Sequence, residues 1–161
     1  MSIKVFQFLD VNGDGSGNNN ANGDYSSTPE EFYFEAPSRV NLYRMIISLR
    51  DTTGMIAEEY GNLGSALTNG YELKFLNADL TTRVNLTGGI PIQDNAGFGR
   101  YCYDAQIISW GPGDEYLNVR WTFSKSGGPL KLSAGQRLSI TLSDDFTGLL
   151  EHRFMVQGEL N

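Results

Sequence analysis

Leu117-Asn118-Val119-Arg120-Trp121-Thr122-Phe123 alternates apolar and polar residues without a break. Successive side chains on a strand point to opposite faces, so a period of two marks a strand with one face in a core and one in water. The same period runs through Leu138, Ile140 and Leu142, through Tyr71, Leu73 and Phe75, and through Tyr43, Met45, Ile47 and Leu49. Upstream of Tyr43 the parity reverses, because Val40 and Leu42 are the apolar residues there. A one-residue change of face predicts a β-bulge at residues 42–43.

Fainter strand signals lie at 3–9, 31–36, 83–87, 101–110 and 152–158. Together they suggest about eight to ten strands, the usual stock of two packed sheets. Asn69-Gly70, Gly88-Gly89, Gly111-Pro112-Gly113, Gly127-Gly128-Pro129, Ala134-Gly135 and Thr147-Gly148 punctuate the chain. Glycine, proline and short polar residues favour turns at such places. Asn69-Gly70 stands between Leu67 and Tyr71 and reads as a tight hairpin. Helical periodicity is scarce. One turn is expected between Met55 and Tyr60, ended by Gly61. Alternating strand–helix units are missing, which disfavours a parallel sheet. The expected fold is all-β, an antiparallel β-sandwich of jelly-roll-like type, ahead of an immunoglobulin-like sandwich or a barrel.

One domain over 1–161 is expected, carrying a long Gly/Asn/Asp-rich loop at 10–28. A loop of that length is usually functional or disordered. Its shape is expected to come from a ligand, from a neighbouring molecule, or from nothing. The net charge of −7 sets an acidic surface against phosphate, so no nucleic acid partner is expected. No stretch approaches the ~18 apolar residues of a membrane helix, and no secretion signal is evident, so a soluble protein made in the cytoplasm is expected. The single cysteine, Cys102, permits no intrachain disulfide and sits between Tyr101 and Tyr103 like a small buried hydrophobe.

The sharpest chemical motif is Asp10-Val-Asn12-Gly-Asp14-Gly15-Ser16, which matches the start of a calcium loop. Alternate positions aim oxygens inward, and the glycine allows the turn. Asp10, Asn12 and Asp14 are the candidate ligands for calcium. The twelfth position, where a bidentate glutamate belongs, is Ala21, so Asn18, Asp24, Glu30 or Glu31 would have to complete the shell. Catalytic signals are thin. His152 is the lone histidine and opens a strand, with Glu151 facing the other way, which suits a rim or core position. Glu58-Glu59 and Asp144-Asp145 are paired carboxylates. A glycosidase would need two such groups facing across a bond. Asp144-Asp145 precedes Phe146-Thr147-Gly148 and reads as a turn in which aspartate binds backbone amides. Gly13-x-Gly15-x-Gly17 opens no helix and is followed by no lysine, so it is no phosphate loop. Binding candidates are Phe98 and Tyr101 around Gly97-Phe98-Gly99-Arg100-Tyr101, and Trp110 at the mouth of a glycine–proline loop. Val5, Phe6 and Phe8 make an apolar terminal strand able to pair with an exposed sheet edge.

Five segments carry a family resemblance: Phe8-Leu-Asp-Val-Asn-Gly-Asp-Gly-Ser-Gly17, Gly99-Arg-Tyr-Cys-Tyr-Asp-Ala105, Val119-Arg-Trp-Thr-Phe-Ser-Lys-Ser-Gly127, Leu142-Ser-Asp-Asp-Phe-Thr-Gly-Leu149 and Phe154-Met-Val-Gln-Gly158. They resemble small virion proteins of tailed bacteriophages. The resemblance implies a β-sandwich that clamps a capsid, a decoration or cement protein whose partners are the major capsid protein and itself, as a homo-oligomer. It implies a place in the virion, with neck, tail and fibre-base roles open, and no catalysis. A carbohydrate-binding or host-recognition module built on Trp110 or the Tyr101–Tyr103 aromatics is the competing expectation. A hydrolase built on a carboxylate pair is the third.

Overall fold

The period-two segments form strands. The structure, a computed structural model, describes residues 3–11, 13, 16–52, 54–96, 107–109, 115–123 and 127–161. Its strands in chain order are β1 (Ile3–Phe8), β2 (Asp10–Val11), β3 (Glu30–Glu35), β4 (Val40–Asp51), β5 (Glu72–Leu76), β6 (Thr82–Asn85), β7 (Ile107–Ser109), β8 (Glu115–Thr122), β9 (Leu130–Leu132), β10 (Arg137–Leu142) and β11 (Glu151–Leu160). β2 and β9 are too short to show a period, and the alternation did not announce them.

Two antiparallel sheets result. One has the order β1-β11-β4-β8-β7, with β9 also on β4; the other has the order β2-β3-β10-β5-β6. With β2, β7 and β9 set aside, the remaining strands run first–eighth–third–sixth in one sheet and second–seventh–fourth–fifth in the other. That is the double Greek-key order of a jelly roll. The fold is an all-β sandwich, as the alternation predicts.

The alternating residues meet between the sheets. Leu117, Val119 and Trp121 of β8, Met45, Ile47 and Leu49 of β4, and Phe154 and Val156 of β11 face Leu138, Ile140 and Leu142 of β10 and Leu73 and Phe75 of β5 in one buried cluster. Truncating a fully buried aromatic such as Phe154 to alanine costs about 3–5 kcal/mol in cores of this kind.

The parity change also has its cause. Gln157 faces Arg44 but Gly158 faces Leu42, so Tyr43 is the extra residue of a bulge in β4. The bulge returns Val40 and Leu42 to the core. It also brings the β4 backbone so close to Gly158 that a Cβ there would collide with the carbonyl of Asn41. The Met55–Gly61 signal becomes a single 3-10 turn at Ala57–Glu59, ended by Tyr60 in the left-handed region (φ 48°) and by Gly61 (φ 89°).

Asn69-Gly70 is not a hairpin. Leu67 N–H donates to the carbonyl of Gln93 and Tyr71 N–H to that of Ile92, so both flanks of the turn lie along the same segment instead of pairing with each other. The side chain of Asp144 holds the turn.

Candidate functional site

Asp144 is buried, and its carboxylate accepts the backbone N–H groups of Thr68 (2.9 Å), Asn69 (3.0 Å) and Gly70 (2.8 Å). Three amides converging on one carboxylate form a structural clamp, and Gly70 (φ 72°) supplies the backbone shape that lets them converge. Asp145 points elsewhere and accepts from Thr147 N–H (2.9 Å) and Thr147 Oγ1 (2.6 Å). The pair is turn chemistry, as the sequence suggests. Across the strands, Asp145 stands opposite Asp24 in an isolated bridge, and Asp51 stands opposite Glu115 on β4 and β8. The latter two bind backbone: Asp51 accepts Thr52 N–H (2.6 Å) and Glu115 accepts Met55 N–H (2.7 Å).

His152 is a core residue. Its Nδ1 lies 2.8 Å from the carbonyl of Ala21, and a carbonyl can only accept, so Nδ1 carries the proton. Burial pushes its pKa down to about 4, so the ring is neutral at neutral pH and Nε2 accepts the hydroxyl of Tyr60 at 2.9 Å. Burial in turn raises the Tyr60 phenol well above its ordinary value. Phe146 (4.6 Å between ring centroids) and Phe154 (4.8 Å) enclose the imidazole. Every polar atom of this histidine thus serves the fold.

The same network corrects the reading of the long loop. Its distal half, residues 18–25, is a strap tied down by the chain itself. Ala21 is fully buried and donates its N–H to the carbonyl of His152 (2.7 Å), while Asn20 Oδ1 accepts His152 N–H (2.9 Å). Asn20 and Asn22 donate their side-chain amides to the carbonyls of Leu150 (3.2 Å each), and Asn22 also reaches that of Leu149 (3.1 Å). Tyr25 N–H donates to Asp144 O, and Phe146 N–H to Gly23 O. These bonds to the chain itself give the strap its shape. The loop also begins later than 10, since Asp10 and Val11 are β2.

For the calcium motif, Asp10 is buried and pairs with Tyr33 across β2 and β3, while Asn12 and Asp14 lie outside the described residues. Ala21, at the twelfth position, faces the core. Asp24 binds Ser26 N–H (3.0 Å) and Oγ (2.6 Å), and Glu31 accepts the hydroxyl of Ser139. Among the described residues no three acidic, histidine or cysteine side chains stand close enough to hold a metal. Phe98, Tyr101, Cys102 and Trp110 also lie outside the described residues.

Val5, Phe6 and Phe8 fall on β1, which is already seated on β11 in unbroken register from Ile3 opposite Leu160 to Phe8 opposite Met155. It is therefore an edge strand of this chain, not a free arm. Leu9 N–H donates to Phe154 O (2.7 Å), which fixes the phase: odd-numbered residues aim their backbone groups at β11. Lys4, Phe6 and Phe8 aim theirs outward, and no described strand meets them. Val5 packs partly on the core, whereas Phe6 is 59% exposed and Ile3 is 61% exposed. Phe6 meets Phe8 edge to face (6.2 Å), and the Arg153 guanidinium lies 5.5 Å over the Phe8 ring. Lys4 ion-pairs with Glu159, which also accepts the Tyr43 hydroxyl (3.1 Å).

The chain matches no family model, no curated protein and no solved structure. Sequence reading singled out Phe6 and Phe8 but missed Ile3, whose exposure depends on the strand lying at an edge. It also missed Asn20 and Asn22, because asparagines in a polar loop carry no signal of the carbonyls they bind 127–130 residues away.

Proposed function

We propose that this protein is a non-catalytic structural component of a tailed-bacteriophage particle, a decoration or cement protein that binds and stabilises the major capsid lattice. The observation that carries this reading is the open edge of β1, a regular strand with large apolar side chains exposed on both of its faces. Exposed edges of that kind recruit further strands, and strand addition gives affinity through main-chain hydrogen bonds. The resemblance of five segments to phage virion proteins supplies the particle. In support, the groups that chemistry would draw on, Asp144 and His152, have their polar atoms engaged by backbone or by a core hydroxyl.

The test compares phage particles assembled with and without this protein. Particles lacking it should open at lower temperature and in low salt, and adding the purified protein back should restore them. Gold-labelled antibody should decorate the capsid surface. Label confined to the neck or tail would move the role there, and equal stability of the two particle types would remove the cement role.

A further inference from the structure

We propose that β1 is the seam of a two-fold dimer, in which its open edge pairs antiparallel with β1 of a second copy, centred on Phe6. The proposal deepens the assembly reading above and rests on the same edge.

The edges of the sandwich differ. β2 is two residues long and β7 three. β6 has four residues, a register irregularity against β5, and Arg83 on it. Shortness, bulges and charge are the usual devices that blunt an edge. β1 has six residues, no bulge and no proline, and its one charge, Lys4, is tied to Glu159. Ile3 and Phe6 project to opposite faces of it and are both largely exposed.

A second copy fits this edge in one register. Antiparallel partners must keep side chains on matching faces, and only Lys4, Phe6 and Phe8 offer outward backbone groups. Centring on Phe6 pairs it with the second copy's Phe6 and pairs each Lys4 with the other copy's Phe8. All three outward residues of the strand then exchange both of their hydrogen bonds. Centring on Val5 or on Gln7 leaves one of the three without a β1 partner. In the Phe6-centred register no like charges of the two β1 strands stand directly opposite each other. On the other face, Ile3 comes beside Leu9 of the second copy. The five-strand path of each chain, β1-β11-β4-β8-β7, continues into that of the other.

Sedimentation equilibrium across a dilution series, with amide hydrogen exchange on the same samples, tests the seam. The wild-type chain should sediment at twice the chain mass and dissociate on dilution. In the dimer the N–H groups of Lys4, Phe6 and Phe8 should be protected along with those of Val5 and Gln7; on dissociation only the odd-numbered set should stay protected. Phe6→Pro removes a central outward donor, a substitution edge strands tolerate, and should leave a folded monomer. Should Phe6→Pro fail to fold, Phe6→Lys sets like charges directly opposite and should raise the dimer Kd by roughly ten-fold or more. Val84→Lys on β6 should leave the dimer intact. A wild-type chain that is monomeric at every concentration, a dimer indifferent to the Phe6 variants, or one broken by Val84→Lys instead overturns the seam. The particle-binding reading would survive any of these, because particle stability decides it.

Discussion

The strap at residues 18–25 and the edge strand β1 lie against the same strand, β11, and invert the usual relation between polarity and burial. The strap is built of asparagine, glycine and aspartate, yet Ala21 within it is fully buried and Asn20 and Asn22 bind main-chain carbonyls. β1 carries isoleucine, valine and phenylalanine, yet leaves two of its apolar residues more than half exposed. The two divide one edge of β11 between them. β1 covers it from Met155 to Leu160, and the strap takes over at His152 and Leu150. Polar atoms that meet buried backbone groups can enter a protein; apolar ones at a sheet edge enter only when something else covers them.

The contrast makes the strap side the sensitive one. The largest effect is expected from Asp144→Ala, which orphans the amides of Thr68, Asn69 and Gly70 and should cost about 3–5 kcal/mol in urea unfolding. Acidification comes next. The folded-state pKa of His152 lies near 4, below the unfolded value near 6.5, so the unfolded chain binds the proton more tightly. The stabilisation is complete above pH 6.5 and is lost as pH falls towards 4. The loss is about 3 kcal/mol, or roughly 6–12 °C in Tm. His152→Phe should flatten that slope, read from melting curves between pH 7 and 4. Asn20→Ala removes the acceptor of His152 N–H and should cost about 1–3 kcal/mol, with faster proteolysis within 18–25.

On the β1 side, Phe6→Ser at high dilution should shift stability by no more than ~0.5 kcal/mol, because the side chain is mostly in water there. Smallest of all should be the effect of EDTA against calcium: superimposable melts, because the anchors of the strap are protein groups. A calcium-dependent rise in Tm would show instead that a metal shares in holding the loop.

How much of this could be read from the sequence depends on the range of each interaction. Period two exposed β4, β8 and β10, because neighbouring residues on one strand settle it. The parity switch at Leu42–Tyr43 located the bulge for the same reason. Asp144-Asp145 announced a turn, although not that Asp144 would clamp a second turn at residues 68–70. Asn69-Gly70 was misread because hairpin chemistry is local, whereas the partner of both its flanks, the segment at 92–93, is set by the tertiary fold. The strap was illegible in principle: its asparagines look the same whether their partners are water or the carbonyls of Leu149 and Leu150. For the candidate surface, sequence named Phe6 and Phe8 but could not say that Phe8 would lie beneath Arg153 while Phe6 and Ile3 stayed open.

The pairing of the first described strand with the last also bears on how the protein is made. Lys4 and its partner Glu159 are 155 residues apart. At usual elongation rates, roughly 8–30 s separate the appearance of one from that of the other at the ribosome. Through that interval β1 lacks the β11 strand that covers one of its edges. Closure of the β1-β11-β4-β8-β7 sheet must wait until β11 has been made, which makes the nascent stage, rather than the finished fold, the one at which β1 is most exposed to aggregation.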